Sequence, residues 1–405
     1  MTLSRTWGCS LSSNPWPSAE ATRRPLPRET DVVVVGGGLA GAATAYYLAC
    51  EDIDVVLLER SELNREASGT NAGSFHFQIA IHQLTARETE SSRARLLSDV
   101  RLHSAAARLW LTLEDELNAS LGVHTIGGLM VAETPEELQI LHDKHLIEEE
   151  AGLETHVLEG DELRRFAPYL ADDLLGASFC PQEGHANPFL AAPLYALRAA
   201  ERGAVIRTHA EVIRVSPGFT IETTAGTIHA NRIVNAAGAW ANDLAAMSGL
   251  RLPIHAEGLH VNVTEPREHV LDPLLQHIGR RLTLKQAVNG TFIIGGGWPA
   301  HPEVAPARYS TLWESAAGNA AVAVRVMPSL ADVRVVRMWT GVMAFTDDLQ
   351  PIVGEVPTLP GYFVCIATTG FTLSPMLARM LAAHMAGRPT LPPEYSPDRH
   401  ELFTT

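Results

Sequence analysis

A glycine-rich turn and a downstream acid are the residues of this chain with the clearest chemical meaning. Gly36, Gly38 and Gly41 follow a run of β-branched residues and open an alanine-rich segment. Such a turn brings backbone N–H groups close to a pyrophosphate, and the helix N-terminus after it favours negative charge. Glu59 lies 23 residues after Gly36, where its carboxylate can accept hydrogen bonds from ribose hydroxyls. The spacing predicts a dinucleotide site.

The elements that must position this turn are readable in the same stretch. Residues 31–35 are apolar on both faces, which is typical of a central parallel strand. Residues 42–49 predict a helix, and residues 54–59 predict a second buried strand that ends in the acid. A loop of small residues with many hydrogen-bond donors follows at 65–74, and such a loop can lie flat against a bound dinucleotide.

Three later segments add to this unit. Residues 232–240 run from a strand into a glycine turn, and residues 347–354 and 367–372 precede a C-terminal helix. Together with the first unit they resemble the D-amino-acid oxidase superfamily of flavoproteins, of the glycine oxidase and sarcosine oxidase type. Within it, the chain is most similar to the catalytic beta subunit of heteromeric opine, proline or hydroxyproline dehydrogenases. The resemblance covers about residues 30–390.

This resemblance implies an α/β plus antiparallel β fold, in which a Rossmann-like FAD-binding domain is interleaved with a substrate domain on a mixed or antiparallel sheet. We expect a flexible N-terminal tail at 1–29, with Trp7 and Trp16 as anchors if it docks on a partner. The other expected bounds are 30–105, 155–250 and 338–395 for the FAD-binding domain and 106–154 and 251–337 for the substrate-binding domain.

The resemblance also implies which residues contact FAD. It places Glu59 on the adenosine ribose, the backbone of Val212 at the adenine, and the helix that starts at Gly370 with its N-terminus by the flavin. The full set is Gly36, Gly38, Leu39, Ala40, Gly41, Glu59, Arg60, Ser68, Gly69, Asn71, Ala72, Gly73, Val212, Ala237, Gly238, Trp240, Gly341, Gly370, Phe371 and Thr372.

The implied reaction is oxidation of a C–N bond in a secondary amino acid, imino acid or opine. A hydride passes to flavin N5, and water then hydrolyses the imine. Many family members bind the substrate carboxylate with an arginine, but Met343 occupies that position here. Because a thioether cannot pair with a carboxylate, glycine-oxidase-like substrate binding is disfavoured.

Other polar residues are therefore candidates for the catalytic and substrate-binding roles. His76, His260 and Lys285 are the first choices, and Arg337 is a further choice for the carboxylate. Each has a structural alternative: a hydrogen-bonded structural histidine for His76 and His260, and a solvated side chain for Lys285 and Arg337.

The resemblance further implies a larger partner subunit. Electrons that leave FAD for anything but O₂ need another carrier, which can be an iron–sulfur cluster on the partner or FMN at the subunit interface. Two other functions stay open: a self-sufficient D-amino-acid or glycine oxidase, and a flavin-bearing electron-transfer or assembly subunit without its own substrate site.

Composition excludes several classes. A net charge of -15 disfavours nucleic-acid binding, and four dispersed cysteines argue against a disulfide framework or a structural zinc site. No apolar run approaches the roughly 20 residues of a membrane span. We expect a cytoplasmic protein without a metal site. His142 and His145 are spaced to share a helix face, but no third ligand lies near them in sequence.

Two helices and one strand complete the coarse prediction. Asn187-Pro188 predicts a helix start, with the helix ending at Arg202. Residues 205–215 predict one continuous strand. Residues 134–151 predict an exposed amphipathic helix whose acidic end, 148–150, is a solvated face.

Overall fold

The computed structural model describes residues 15–80, 90–304, 308–388 and 391–399. These residues form two large sheets of eight strands each and two small sheets of two strands each. Nine α-helices surround the sheets in the described ranges. They are α1 (Leu39–Cys50), α2 (Ala67–Thr70), α3 (Glu90–Glu116), α4 (Pro135–Glu150), α5 (Gly160–Phe166), α6 (Ala191–Glu201), α7 (Ala241–Ala246), α8 (Trp313–Val326) and α9 (Gly370–Met385).

The first sheet carries the glycine turn. Its strands are β1 (Glu29–Val35), β2 (Val55–Leu58), β8 (Val205–Arg207), β9 (Val212–Ser216), β10 (Thr220–Thr223), β11 (Gly226–Asn235), β19 (Ile352–Glu355) and β20 (Tyr362–Ile366). The central order is β19-β20-β11-β1-β2-β8, with β10 pairing β11 and β9 pairing β10. β1 pairs in parallel with both β11 and β2. Val32, Val33 and Val34 are fully buried, as expected for a strand covered on both faces.

The second sheet is mostly antiparallel. Its strands are β4 (Gly128–Ala132), β5 (His156–Glu159), β6 (Gly176–Cys180), β12 (Ile254–Pro266), β13 (Leu274–His277), β14 (Thr283–Gln286), β15 (Thr291–Gly295) and β18 (Val335–Thr346). The order is β18-β12-β15-β14-β13-β4-β6-β5. Only β13 and β4 pair in parallel among these described strands. The predicted mixed α/β and antiparallel architecture is confirmed.

Two small sheets complete the strands. They are β3 (Ser74–Phe75) with β7 (Gly184–His185), and β16 (His301–Pro302) with β17 (Tyr309–Ser310). The predicted domain bounds stay a prediction. β5 and β6, which those bounds assign to the FAD-binding domain, hydrogen-bond within the second sheet.

Separate apolar cores lie on the two faces of the first sheet. One face packs against α1, α6 and α9, with Trp110 of α3 in the same core. The other face packs against the β9–β11 segment and α7. A third core lies between the second sheet and α8. No helix in the described ranges is both long and apolar enough to cross a membrane.

Two local predictions of secondary structure need correction. α6 begins at Ala191 rather than at Pro188, because the Asn187 side chain caps a turn at Phe189 N, 3.0 Å away. The predicted strand 205–215 is two strands, and they separate because β8 pairs with β2 whereas β9 pairs with β10.

The predicted tail is also different where it is described. Ala21–Arg23 forms a short 3₁₀ helix, and Thr22 is buried because its carbonyl accepts a hydrogen bond from Thr208 N at 3.0 Å. Residues 15–28 therefore include a segment docked on the chain's own first sheet rather than a flexible tail. Trp7 lies outside the described residues.

A further correction concerns the acidic end of α4. Glu148 is fully buried there instead of solvated, and so is Lys144 one turn earlier. Their side chains form an ion pair at 2.8 Å, which compensates both charges inside the protein. The sequence pattern did not predict the buried ion pair, because a run of three glutamates is normally exposed to solvent.

Candidate functional site

The glycine turn between β1 and α1 has the geometry that a phosphate cradle requires. Gly36 adopts a φ of +119°, and a Cβ there would lie 2.4 Å from Ala236 O. Gly38 occupies the N-cap of α1 without a side-chain cap. The Ser68 hydroxyl accepts a hydrogen bond from Leu39 N at 2.8 Å, and a Cβ at Gly38 would lie 2.9 Å from that oxygen. The positive end of the helix dipole faces the cavity beside this turn.

Glu59 stands at the end of β2 beside this turn. Its Oε2 accepts a hydrogen bond from Gly37 N at 2.7 Å, and its Oε1 accepts one from Ser61 N at 2.8 Å. These bonds fix the carboxylate at the cavity wall, where its remaining acceptor positions suit ribose hydroxyls. Next to it, the Arg60 guanidinium stacks 3.8 Å from the ring centroid of Trp240.

One cavity of about 900 Å³ connects the glycine turn with the second sheet. All the predicted FAD-contacting residues line it except Gly41, Gly69 and Gly73. Each of these three packs so closely against a backbone oxygen, of Gly36, Asn64 and Ala186 respectively, that a Cβ would overlap it. They shape the backbone around the cavity without lining it.

The residues present fit FAD. The glycine turn, the fixed carboxylate of Glu59, the backbone at Val212 and the start of α9 line a single cavity, long enough to join the two sheets. At the α9 end, the Thr372 hydroxyl accepts a hydrogen bond from His76 N at 3.2 Å, so that α9 and the segment after β3 are held together.

The two candidate histidines both line the cavity but differ in their surroundings. His76 lines the cavity, and its Nδ1 lies 2.9 Å from Gln276 Oε1. His260 also lines the cavity, but it is only 1% exposed and its Nε2 bonds Asn262 Oδ1 at 2.8 Å. Since Asn262 in turn donates to Ala316 O of α8, this placement favours the structural alternative for His260. Burial lowers the pKa of His260, which keeps the ring neutral.

Neither Lys285 nor Arg337 lies at the cavity. Lys285 is not among the lining residues, and it is 4% exposed rather than solvated. Arg337 is exposed and stands 5.7 Å from the ring centroid of Trp339 on β18. This placement does not favour either residue for substrate binding, and their roles stay predictions.

Several cavity residues were missed by sequence reasoning. Gln78, Gln276, Arg280 and Arg281 line the cavity from the second sheet and its neighbouring segments. Arg280 donates to Glu133 Oε2 at 2.6 Å, whereas the exposed Arg281 has no ion pair within the described ranges. Met343 also lines the cavity, as expected for the position where relatives carry an arginine. The basic dipeptide at 280–281 was the one available sequence signal.

A cluster of basic side chains lies away from the cavity. We define the basic cluster as His124, His185 and Lys285. The His124 and His185 rings stand 5.2 Å apart, and their backbones form an isolated β-bridge. Burial, and next the charge of Lys285, lower the pKa of His185 to about 3. Burial alone lowers the pKa of Lys285 to about 7.

Metal binding finds no support in the described part of the chain. His142 pairs with Glu159 and His145 with Thr155, and no group of three ligand side chains that could hold a metal ion occurs among the described residues. These two histidines of α4 therefore form hydrogen bonds to the segment 155–159 that follows the helix.

Comparison with known proteins agrees with this geometry. The sequence profile of the family described as "DAO: FAD dependent oxidoreductase" matches residues 31–384. A subunit of opine oxidase from Rhizobium meliloti is 29% identical over 374 residues, which cover 88% of this chain and 94% of that protein. Human mitochondrial sarcosine dehydrogenase is 29% identical over 85% of this chain, but the match spans only 38% of that longer protein.

The fold has solved relatives as well. The crystal structure of L-proline dehydrogenase from P. horikoshii superposes with a TM-score of 0.82 at 24% identity, covering 92% of this chain and 98% of that one. Glycine oxidase from Geobacillus kaustophilus gives a TM-score of 0.78, also at 24% identity, over 92% of this chain and 100% of that one. At this identity the likeness establishes the fold alone.

Proposed function

Because this chain belongs to the DAO family of FAD-dependent oxidoreductases that act on amino acids or opines, we propose that it oxidises the C–N bond of a secondary amino acid, imino acid or opine. The observation that carries this proposal is the single cavity that runs from the glycine turn to His76, Gln276 and Arg281. Such a cavity can hold a dinucleotide at one end and a polar amine beside it.

Different residues of the chain have different roles in the proposed reaction. Gly36, Gly38, Glu59 and Ser68 would hold the dinucleotide, and the start of α9 would lie at its flavin end. Bound FAD supplies the hydride acceptor. The protein supplies position, exclusion of water and a proton acceptor for the amine.

We propose that Arg281 binds the substrate carboxylate. Met343 cannot do so, and Arg280 is already paired with Glu133. Arg281 lines the cavity and has no ion pair among the described residues, so its guanidinium can form a bidentate pair with a carboxylate. An opine, which carries a carboxylate on each side of a secondary amine, suits a cavity with a cation at its wall.

The test is anaerobic reduction of the flavin on the purified chain by proline, sarcosine and opines. Bleaching by one of them supports the function. Arg281→Leu is expected to raise KM at least tenfold with kcat less affected, equivalent to about 1.4 kcal/mol of lost binding. Arg337→Leu is the matched control, because that arginine lies outside the cavity, and its KM is expected to stay within about threefold.

Three other outcomes discriminate the alternatives. Release of hydrogen peroxide at full activity by the chain alone favours a self-sufficient oxidase. Absence of bleaching by any amine, with the flavin still reducible chemically, favours an electron-transfer or assembly subunit. An unchanged KM in Arg281→Leu rejects the carboxylate assignment alone.

We further propose that the chain works inside a hetero-oligomer. The similarity to proteins that are named as subunits of opine oxidase supports a partner subunit. The basic cluster supports an anionic group near it, because within the described ranges the Lys285 ammonium has neither a hydrogen bond nor an ion pair. Exposed apolar side chains lie on the neighbouring segments, namely Ile126, Phe189, Val270 and Val288.

FMN at this interface fits the cluster, since its phosphate would compensate Lys285 and its ring would cover apolar surface. An iron–sulfur cluster on the partner is the other carrier that we propose.

The cytoplasmic location also stays a proposal, supported by the free, unpaired Cys50, Cys180 and Cys365.

Co-expression with neighbouring open reading frames, followed by size-exclusion chromatography and flavin analysis, tests the assembly. Extra subunits with both FAD and FMN, and loss of the FMN in Lys285→Met with FAD retained, support the interface site. A fully active homomer with one FAD per chain and no gain from any partner rejects it.

A further inference from the structure

A buried carboxylate next to the cavity fixes the direction of a hydrogen-bond chain. Glu183 is fully buried, and its Oε1 accepts from Phe77 N at 2.8 Å and Gln78 N at 3.0 Å. Its Oε2 accepts from Gln78 Nε2 and from Gln276 Nε2, both at 2.9 Å. Both oxygens of Glu183 are therefore occupied as acceptors by four N–H donors. The amide nitrogen of Gln276 must therefore face Glu183.

This orientation determines which nitrogen of His76 carries the proton. With its nitrogen on Glu183, Gln276 presents Oε1 to His76 Nδ1 at 2.9 Å. An amide oxygen cannot donate, so Nδ1 must be the N–H of the ring. In the neutral imidazole the lone pair then resides on Nε2, which makes no hydrogen bond to a described residue.

The ring is held at the cavity by its backbone as well. His76 N donates to the Thr372 hydroxyl on the first turn of α9, and Trp110 Nε1 donates to Thr372 O at 2.9 Å. His103 of α3 interacts electrostatically with the ring, and its pKa is lowered first by burial and also by His76. His103 is thus neutral at physiological pH, so that it adds no charge beside His76.

We infer that His76 Nε2 accepts a proton from the substrate ammonium, and that Gln276 and Glu183 are positioning residues that hold His76 in this tautomer. The inference rests on the proposed function. The N–H bond of the ammonium breaks, its electron pair stays on the amine nitrogen, and the proton bonds to Nε2. The product is a neutral amine, the form that can release a hydride, and an imidazolium whose Nδ1–H still bonds Gln276.

The hydrogen bonds of Lys144 further support the orientation of the Gln78, Glu183 and Gln276 side chains. Lys144 Nζ donates to Gln78 Oε1 at 2.8 Å, which leaves the Gln78 amide nitrogen for Glu183. The direction of every bond from Lys144 to His76 is thereby determined, with no group free to flip.

Glu183→Gln is the sharpest test. The substitution is isosteric, and it reverses the donor and acceptor roles in the hydrogen bonds from residue 183 to His76. If its oxygen stays on the backbone N–H groups, its new amide nitrogen faces Gln276, which must then turn its own oxygen toward it. His76 Nδ1 would meet an N–H and become the acceptor, and Nε2 would carry the proton. Gln276→Met removes the acceptor without adding a charge and serves as a second variant.

The measurement is nitrogen-15 NMR of histidine-labelled, FAD-loaded protein without substrate, with His76→Gln to assign the signals. We expect the Nδ1–H tautomer in the natural protein and the Nε2–H tautomer in Glu183→Gln. The kcat/KM for an amine should fall at least tenfold in Glu183→Gln, and the acid limb of its pH profile should move. Ser178→Ala, which loses only a 3.2 Å bond to Lys144, is the control and should change neither.

Either of two results overturns the inference: an Nε2–H tautomer in the natural protein, or unchanged kcat/KM and pH profile in Glu183→Gln. These differ from failure of the proposed function, in which no amine reduces the flavin of the natural protein at all. If Glu183→Gln does not fold, the tautomer of the natural protein and the Gln276→Met pH profile still decide.

Discussion

Two lysines of the second sheet region, Lys144 on α4 and Lys285 on β14, are both buried but lie in opposite electrostatic surroundings. Lys144 is fully buried with Glu148 at 2.8 Å and with Gln78 and Ser178 as further partners. Lys285 is 4% exposed, and within the described ranges no carboxylate pairs with it. The first charge is compensated by the chain itself, whereas the second has no compensating partner among the described residues.

The two lysines therefore differ in what their surroundings do. The Lys144 network continues through Gln78, Glu183 and Gln276 to His76, so it stiffens one wall of the cavity. In the basic cluster, the backbones of His124 and His185 form a β-bridge, but the Lys285 ammonium takes part in no such network among the described residues. Because an unpaired buried cation costs free energy, its presence supports the proposal that an anionic group binds there.

Breaking the compensated pair should have the largest effect. Lys144→Met leaves Glu148 as an unpaired buried charge, and we expect it to lower the free energy of unfolding by about 3–5 kcal/mol. Urea denaturation at pH 7 measures this change. Lys144→Met combined with Glu148→Met should recover most of the loss. A single variant that loses less than about 1 kcal/mol would show that Lys144 and Lys285 do not differ as described.

Removing the uncompensated charge of Lys285 should raise the free energy of unfolding instead of lowering it. Burial lowers the pKa of Lys285 to about 7 from 10.5. Between these values the unfolded chain binds more protons than the folded one, so the stability of the natural protein rises with pH from about 7 to about 10.5. At pH 7 and below the cost is fully present. Lys285→Met should therefore stabilise the isolated chain by about 2–3 kcal/mol at pH 7.

The same denaturation series at pH 7 and pH 9.5 checks the sign. The advantage of Lys285→Met over the natural protein should shrink as the pH rises. Destabilisation of the isolated chain by this substitution would mean that Lys285 has a compensating partner, and the contrast with Lys144 would disappear.

Asp99 extends the comparison to a buried carboxylate with neutral partners. It bonds Gln350 Nε2 at 2.6 Å and the Tyr395 hydroxyl at 3.0 Å, and burial raises its pKa to about 6. Its folded pKa lies above the unfolded value of 3.8, so its contribution is fully present below about pH 4 and is lost as pH rises through about 6.

Asp99→Asn should therefore stabilise the protein by about 1–2 kcal/mol at pH 8 and have little effect at pH 4. Thermal unfolding at the two pH values measures the difference. Ser98→Ala, on the adjacent position of α3, is a suitable control because it removes a hydroxyl but no titrating group. An equal effect of Asp99→Asn at both pH values would contradict the assignment.

The amino-acid sequence by itself determined the cofactor end of the molecule. The strand, the turn at Gly36, the helix and Glu59 lie within about thirty consecutive residues, and short-range sterics and hydrogen bonding suffice to form that unit. For the same reason its predicted residues nearly all line one cavity. The later FAD segments were predictable because the resemblance ties each to a local strand-and-turn pattern.

Only the tertiary structure decided the part of the cavity that we propose for the substrate. Glu183 meets Gln276 across 93 residues, and Gln276 meets His76 across 200. The buried Lys144 and the buried, unpaired Lys285 were hidden likewise, since each reads as a surface charge in sequence. A buried polar group is defined by the partners that strand order and helix packing bring to it, and those partners are fixed by contacts between distant segments rather than by neighbours along the chain.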